Sequence, residues 1–153
     1  MTDRGWLPWL ERAARVWPQA IACEAGDGRI DFAGLRDHAL RLAAGMRAAG
    51  VHPGDRVAAL VTPGAQFLAL LHAAQIGGWT LVPPNPRLRA DELRRLLDHA
   101  APALLLHDAA HAAAVVGSVG VGRIEDLAAL PPADPRPDDA LAADPEAVLA
   151  LVY

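Results

Sequence analysis

Residues 52–84 read HPGDRVAALVTPGAQFLALLHAAQIGGWTLVPP, and this stretch decides the fold. It opens with a Pro-Gly turn and continues into the apolar run RVAALV over 56–61. Thr62-Pro63-Gly64 ends this run, and the segment AQFLALLHAAQI then predicts a helix that stops at Gly77-Gly78. The residues WTLVP predict a second strand, which the following prolines close. A strand, a helix and a strand joined by short turns predict a unit of two parallel strands with a helical crossover.

The same alternation continues toward the end of the chain. The predicted elements are, in order, a helix over about 90–100, a strand over 103–106, a helix from its cap at Asp108 to Gly117, a weak strand around 118–121 and a short helix over 125–130. The strands are uninterrupted apolar runs, which is typical of strands buried on both sides. We therefore expect an α/β fold, a parallel sheet with helices on both faces.

An amphipathic helix is predicted at the N-terminus. Trp6, Leu10, Ala13 and Trp17 recur at helical spacing, so one apolar face would dock on the domain. A helix lying on a membrane surface is the alternative, and the charge of Glu11, together with that of Asp3, disfavours it.

A small β-hairpin follows this helix. Two apolar runs flank Gly26-Asp27-Gly28, a turn whose residues tolerate positive φ. Asp31 is placed to cap a helix that begins near Phe32, and apolar residues at spacings of three and four give that helix one buried face. Gly50 is expected to end it.

Composition narrows the class of function. The 153 residues suit one domain, and the 53% hydrophobic and 21% charged content is that of a globular protein. The net charge of −4 disfavours a nucleic-acid partner. Every Lys/Arg position is arginine, which excludes a phosphate-loop lysine and a Schiff-base lysine within this chain. The only serine, Ser118, lies in GSVGVG, so a serine triad is disfavoured.

The single cysteine and the hydropathy pattern bear on the compartment. Cys23 has no second cysteine to pair with, and it lies in an apolar run where a buried small hydrophobe is expected. A chain without disulfides suits the cytoplasm. No uninterrupted apolar stretch reaches the ~18 residues of a membrane span, so none is expected.

Three residues at strand ends are candidates for ligand contact. Thr62, Asn85 and His107 fall at the edge where open α/β sheets bind ligands. Asn85, within PPNPR, is the foremost of these. Its alternative role is that of a turn residue whose side chain bonds the backbone.

Other chemistry-bearing residues are expected to be structural. A metal site at His107, His111 and Asp108 is not expected, because two histidines and one carboxylate do not complete a set of ligands. Gly117, Gly120 and Gly122 have the order G-x-x-G-x-G after a helix, which predicts a loop rather than a dinucleotide site. The remaining residues, expected to be exposed, capping or solvated, are His38, His52, His72, His99, Asp134, Asp138, Asp139, Asp144 and Glu146.

Three motifs in this order resemble the N-terminal subdomain of the adenylate-forming acyl-CoA synthetases, the AMP-dependent synthetase/ligase family. IDFAGL at 30–35 is similar to the family's L-T-Y-x-E-L opening. GVHPGDRVAAL at 50–60 is similar to its G-V-x-x-G-D-R-V-A turn and strand. AAQIGGWTLVPPNPRLRADEL at 73–93 is similar to its A-x-x-x-x-G-A-x-x-V-P-x-N-P run.

The resemblance extends over nearly the whole chain. WLERAARVWPQAIA at 9–22 resembles the family's first helix and strand, and PEAVLALVY at 145–153 resembles the strand before its phosphate-binding loop. Gly34 and Arg89 differ from the Glu and the Thr/Ser that are usual in the family at these helix starts. These differences affect the capping of the helices and not the catalytic chemistry. The two ends look most like o-succinylbenzoate–CoA ligases, and fatty-acid or aromatic-acid CoA ligases are the alternatives.

The resemblance implies a two-step reaction, in which a carboxylate and ATP form an acyl adenylate and coenzyme A then displaces AMP. Mg²⁺ accompanies the nucleotide. The family's Gly-rich loop, acidic Mg²⁺ ligand and catalytic lysine all follow the position that Tyr153 takes in the family. We therefore assign no catalytic, cofactor-binding or metal residue to this chain and expect it to be inactive alone, with the remainder of the ligase as its partner.

The predicted layout has four parts. The helix and hairpin occupy 1–32, the α/β subdomain 33–130, a loop 131–146 and a strand 147–153. A non-catalytic, flavodoxin-like binding or partner domain is the alternative. That class needs an acidic or phosphate-binding cluster at its strand ends, and the Thr62-Pro63-Gly64 and Pro83-Pro84 turns supply neither.

Overall fold

The computed structural model describes residues 9–26, 28–116, 123–136 and 148–152. Its elements are, in order, α1 (Trp9–Val16), β1 (Ile21–Ala25), β2 (Gly28–Asp31), α2 (Phe32–Ala48), β3 (Arg56–Leu60), α3 (Ala65–Gly77), β4 (Thr80–Val82), α4 (Ala90–Ala100), β5 (Leu104–His107), α5 (Ala112–Val115) and β6 (Ile124–Asp126). Short 3₁₀ turns cover Ala109–His111 and Leu127–Ala129. Among the described residues, no helix combines the length and apolarity needed to cross a bilayer.

Four parallel strands form the central sheet in the order β4-β3-β5-β6. Alternate residues of β3 face opposite sides. Val57 and Ala59 belong to the core under α2 and α3, whereas Ala58 and Leu60 belong to the core under α4 and α5. The predicted parallel sheet with helices on both faces is confirmed.

The N-terminal helix and hairpin are also confirmed in outline. β1 and β2 pair antiparallel, and the side chain of Asp31 accepts a hydrogen bond from the N–H of Gly34 at 2.7 Å. Leu10 and Ala13 of α1 are buried, as the helical spacing predicts. Trp17 was predicted for the same face and is instead 60% exposed. The helix ends at Val16 ahead of Pro18, so Trp17 leaves the face that the spacing defines.

An ion pair inside the domain holds α1 against α2. Glu11 is only 5% exposed, and Arg36 Nε of α2 lies 2.5 Å from one of its carboxylate oxygens. Arg15 Nε, one turn further along α1, lies 2.8 Å from the other. Burial alone raises the pKa of Glu11, but the two guanidinium groups outweigh burial and lower the pKa below its usual value.

The segment after β5 differs from its prediction. The helix expected from Asp108 to Gly117 is a 3₁₀ turn followed by one α-helical turn that ends at Val115. The weak strand around 118–121 lies outside the described residues. Instead, 124–126 forms β6, where a helix over 125–130 was expected. The free edge of β5 offers ladder hydrogen bonds to this segment, and these outweigh a weak local helix preference.

The last predicted strand is reduced to one bridge in the described residues 148–152. Ala150 pairs in parallel with Leu81 of β4. The N–H of Leu81 donates to the carbonyl of Leu149, and the N–H of Leu151 donates to the carbonyl of Leu81, both at 2.9 Å. This contact adds to the outer edge of β4, so the apolar run lies beside the sheet as expected but is shorter than predicted.

Gly77 allows α3 and β4 to pack closely. A Cβ atom on Gly77 would collide with the indole ring of Trp79, which is 1% exposed. We expect Gly77→Ala to lower the free energy of unfolding by about 1–3 kcal/mol, because neither the helix nor the buried ring has room to move. Urea unfolding measures this.

The matched control is Gly26→Ala. A Cβ at Gly26 has no heavy atom within 4 Å, so its effect should stay within about 0.5 kcal/mol. Equal effects of the two substitutions would contradict the packing argument.

Candidate functional site

The carboxyl-terminal edge of the sheet brings two of the three candidate residues together. Thr62 follows β3, and His107 is the last residue of β5. β3 and β5 are adjacent, with Leu60 paired to His107. The residue that joins their ends is Asp108, which the sequence indicates as a helix cap and as one member of an incomplete metal site.

One oxygen of Asp108 bonds the end of β3. Asp108 Oδ2 accepts two hydrogen bonds from Thr62, one from the backbone N–H and one from the Oγ1 hydroxyl, each at 2.7 Å. The two residues are 46 positions apart in the chain. Asp108 therefore ties the start of one loop to the start of the other at the edge where parallel sheets bind ligands.

The other oxygen of Asp108 bonds the 3₁₀ turn that follows β5. Oδ1 accepts the N–H of His111 at 3.1 Å, as the predicted cap requires, and lies 2.5 Å from His111 Nδ1. His107 does not join the carboxylate, because its Nδ1 lies 3.0 Å from the backbone carbonyl of Asp108. The side chains of Asp108 and His111 are each 17% exposed.

These contacts shift the acidity of Asp108. Partial burial by itself raises the pKa of the carboxyl, but the N–H and hydroxyl of Thr62 and the ring of His111 outweigh it. Together they lower the pKa of Asp108 from 3.8 to about 2. The carboxylate is therefore charged at neutral pH and fully occupied by donors from the protein.

Asn85 lies in the loop after β4, where it is a turn residue whose side chain bonds the backbone. Its side-chain oxygen accepts the N–H of Arg87 at 3.0 Å, and its backbone carbonyl accepts the N–H of Leu88 at 3.1 Å. A cavity of about 250 Å³ lies beside it, with Leu60 and Leu93 in its lining. The lining side chains other than Asn85 are apolar, and backbone groups supply the rest of the cavity's polar surface.

Several polar groups at these strand ends already bond other groups of the protein. A triphosphate needs cations and unused N–H donors, and Mg²⁺ needs carboxylate oxygens with free lone pairs. The carboxylate of Asp108 is already saturated by Thr62 and His111. In the described parts of the chain, no three His, Cys, Asp or Glu side chains are grouped to hold a metal ion.

The remaining predicted residues fall into four groups. His52 and His99 are exposed, as is Asp134, whereas Cys23 and His38 are half-buried. The glycines of GSVGVG and the acidic residues at 138, 139, 144 and 146 lie outside the described residues. His72 was expected to be exposed or capping, and it is instead 4% exposed within α3. Its place in the apolar run AQFLALLHAAQI was the signal that indicated burial.

Comparison with known proteins identifies the class to which this fold belongs. The sequence profile described as "AMP-binding enzyme" matches residues 10–153. The chain belongs to that family, as its three motifs indicated.

Particular relatives are acyl-CoA ligases. The chain is 38% identical over 141 residues to a feruloyl-CoA synthase from Amycolatopsis sp., covering 91% of this chain and 28% of the relative. It is 32% identical over 126 residues to a 2-succinylbenzoate–CoA ligase from Geobacillus kaustophilus, covering 82% of this chain and 26% of the relative.

A solved structure gives the same result. The o-succinylbenzoate coenzyme A synthetase of Bacillus subtilis, in complex with ATP and magnesium ion, superposes with a TM-score of 0.73 at 26% identity. The match covers 82% of this chain and 34% of that chain. This chain therefore spans between a quarter and about a third of the length of these three proteins.

The lowered pKa of Asp108 predicts acid-sensitive stability. A carboxyl whose pKa is lower when folded stabilises the protein above its unfolded-state pKa and loses that contribution as the pH falls toward the folded value. We expect Asp108→Asn to lower the free energy of unfolding by up to about 2 kcal/mol at neutral pH. The difference from the unsubstituted chain should shrink as the pH falls from about 4 toward about 2.

Urea unfolding at a series of pH values measures this difference. Asp98→Asn, on the exposed surface of α4, is the matched control and should change stability by no more than about 0.5 kcal/mol. A pH-independent effect of Asp108→Asn would argue against a charged carboxylate as the source.

Proposed function

We propose that this chain is the N-terminal part of an ATP-dependent carboxylic acid–CoA ligase. The complete enzyme would join a carboxylate to the α-phosphate of ATP with release of pyrophosphate, and coenzyme A would then take the acyl group and release AMP. The observation that carries the proposal is the family match over residues 10–153, together with the coverage of about 28% of a curated relative. A flavodoxin-like binding domain is not favoured, because the matched relatives are ligases.

In this proposal the chain supplies structure and the rest of the ligase supplies the reacting groups. ATP, Mg²⁺ and coenzyme A belong to the complete enzyme, and we assign none of them to the described residues. The four-part layout with boundaries at 32, 130 and 146 is proposed on the same basis. Its partner is the remainder of the ligase, and the disulfide-free sequence favours the cytoplasm as its compartment.

The substrate we propose is an aromatic carboxylic acid. The two relatives described above are named for ferulate and succinylbenzoate, and both acids carry a benzene ring. This extends the o-succinylbenzoate resemblance of the two chain ends to the wider class of aromatic acids. Fatty acids remain the competing class, because a fatty acyl CoA synthetase from Mycobacterium tuberculosis shares 26% identity with the chain.

The first test asks whether the chain has activity alone. Purified chain is incubated with Mg²⁺-ATP, coenzyme A and ferulate, o-succinylbenzoate or a fatty acid, and pyrophosphate release is measured. We expect none above the level without protein, because no lysine is present to stabilise the charge that develops as the carboxylate attacks the α-phosphate of ATP. Turnover by the pure chain would contradict the proposed division of roles.

The second test asks whether the chain can replace its counterpart in a ligase. The matching segment of the Amycolatopsis feruloyl-CoA synthase is exchanged for this chain, and feruloyl-CoA formation is measured. We expect the exchanged enzyme to make feruloyl-CoA, and the synthase with this segment deleted to make none. A folded exchanged enzyme without activity would contradict the proposal.

A further inference from the structure

A small cavity lies where α1, α2 and α3 meet. Its volume is about 20 Å³, and four polar side chains contribute to its lining: Glu11 of α1, Arg36 of α2, and His72 and Gln75 of α3. Leu10, Leu40 and Ile76 form the rest of the wall. Most of the accessible lining is apolar, and these four side chains contribute to its smaller polar part.

His72, in this wall, has a buried ring nitrogen that no described residue bonds. The residue is 4% exposed, and Nε2 has no hydrogen-bond partner in the described part of the chain. Its ring packs edge-on against Trp9, with the ring centroids 4.7 Å apart. Burial lowers the pKa of His72, and a hydrogen bond with the Gln75 side chain opposes this only in part, so the ring is neutral at neutral pH.

Leaving a buried polar nitrogen without a partner is costly, so native proteins rarely do so. Among the described residues, Trp79 Nε1 is a second buried nitrogen without a partner, but Trp79 does not line this cavity. His72 differs because it lines a space to which other polar side chains contribute.

Size and charge select what can occupy that space. A cavity needs roughly 10–15 Å³ of accessible volume to hold one water, and a buried water needs two to four polar partners. The volume of about 20 Å³ is therefore enough for one water. The Arg36 guanidinium disfavours a cation, and the Glu11 carboxylate disfavours an anion, so the occupant is neutral.

We propose that this cavity binds one water molecule, which hydrogen-bonds His72 Nε2 and bridges it to the Glu11–Arg36 ion pair. A neutral imidazole carries one donor and one acceptor nitrogen. Water can accept a hydrogen bond from Nε2 or donate one to it. The bridge connects α3 to the ion pair that holds α1 on α2. The N-terminal helix is thereby joined to both helices of this face of the sheet, to α2 directly and to α3 through the water.

A high-resolution crystal structure of the chain tests the proposal directly. The expected result is a single density peak about 2.7–3.2 Å from His72 Nε2 and from a polar atom of Glu11, Arg36 or Gln75. A direct bond from Nε2 to a protein atom, or a cavity without density, would overturn the proposal.

Oxygen-17 relaxation dispersion in solution, which counts long-lived internal waters, supplies the second measurement. We expect His72→Phe, which keeps a ring against Trp9 and removes the nitrogen, to lower the count by one water. The matched control is His52→Phe, at a side chain that is 81% exposed, and it should leave the count unchanged. An unchanged count in folded His72→Phe would contradict the bridge. If that variant does not fold, the crystal structure of the unsubstituted chain decides alone.

Discussion

The fold depends on one strand that is buried on both faces and hydrogen-bonded along both edges. β3 pairs with β4 on one side and β5 on the other, and Val57 to Leu60 are no more than 2% exposed. Fully burying a side chain such as Val or Leu stabilises a protein by about 1.5–3 kcal/mol, so this strand needs cover on both sides. The helices that connect parallel strands provide that cover, which is why α3 and α4 lie on opposite faces.

The polar residues at the sheet edge serve the same architecture. Asp108 fills both of its oxygens with Thr62 and His111, which fixes where the loops after β3 and β5 begin. A carboxylate saturated in this way cannot also bind Mg²⁺ or take up a proton at neutral pH.

Local patterns predicted most elements well, because their signals are short in range. The helix over 90–100 and the cap at Asp31 agree with the structure, since spacing and a single side-chain oxygen define them. The strand at 124–126 was missed because it forms only by pairing with β5, and its own residues show no strand pattern. Trp17 was misplaced because the helical spacing continues in the sequence after the helix itself has ended.

By itself, the sequence determined the class of fold, the order of the elements as far as β5 and the family, through apolar runs, turn residues and three motifs in a fixed spacing. Only the tertiary structure decided which polar groups meet. Asp108 and Thr62 are 46 residues apart, and Glu11 and Arg36 are 25 residues apart. Neither pair can be recognised from the neighbouring sequence, because the same type of residue occurs both in solvent and buried against a partner. Contacts of this kind depend on how the helices and strands pack, which local periodicity does not encode.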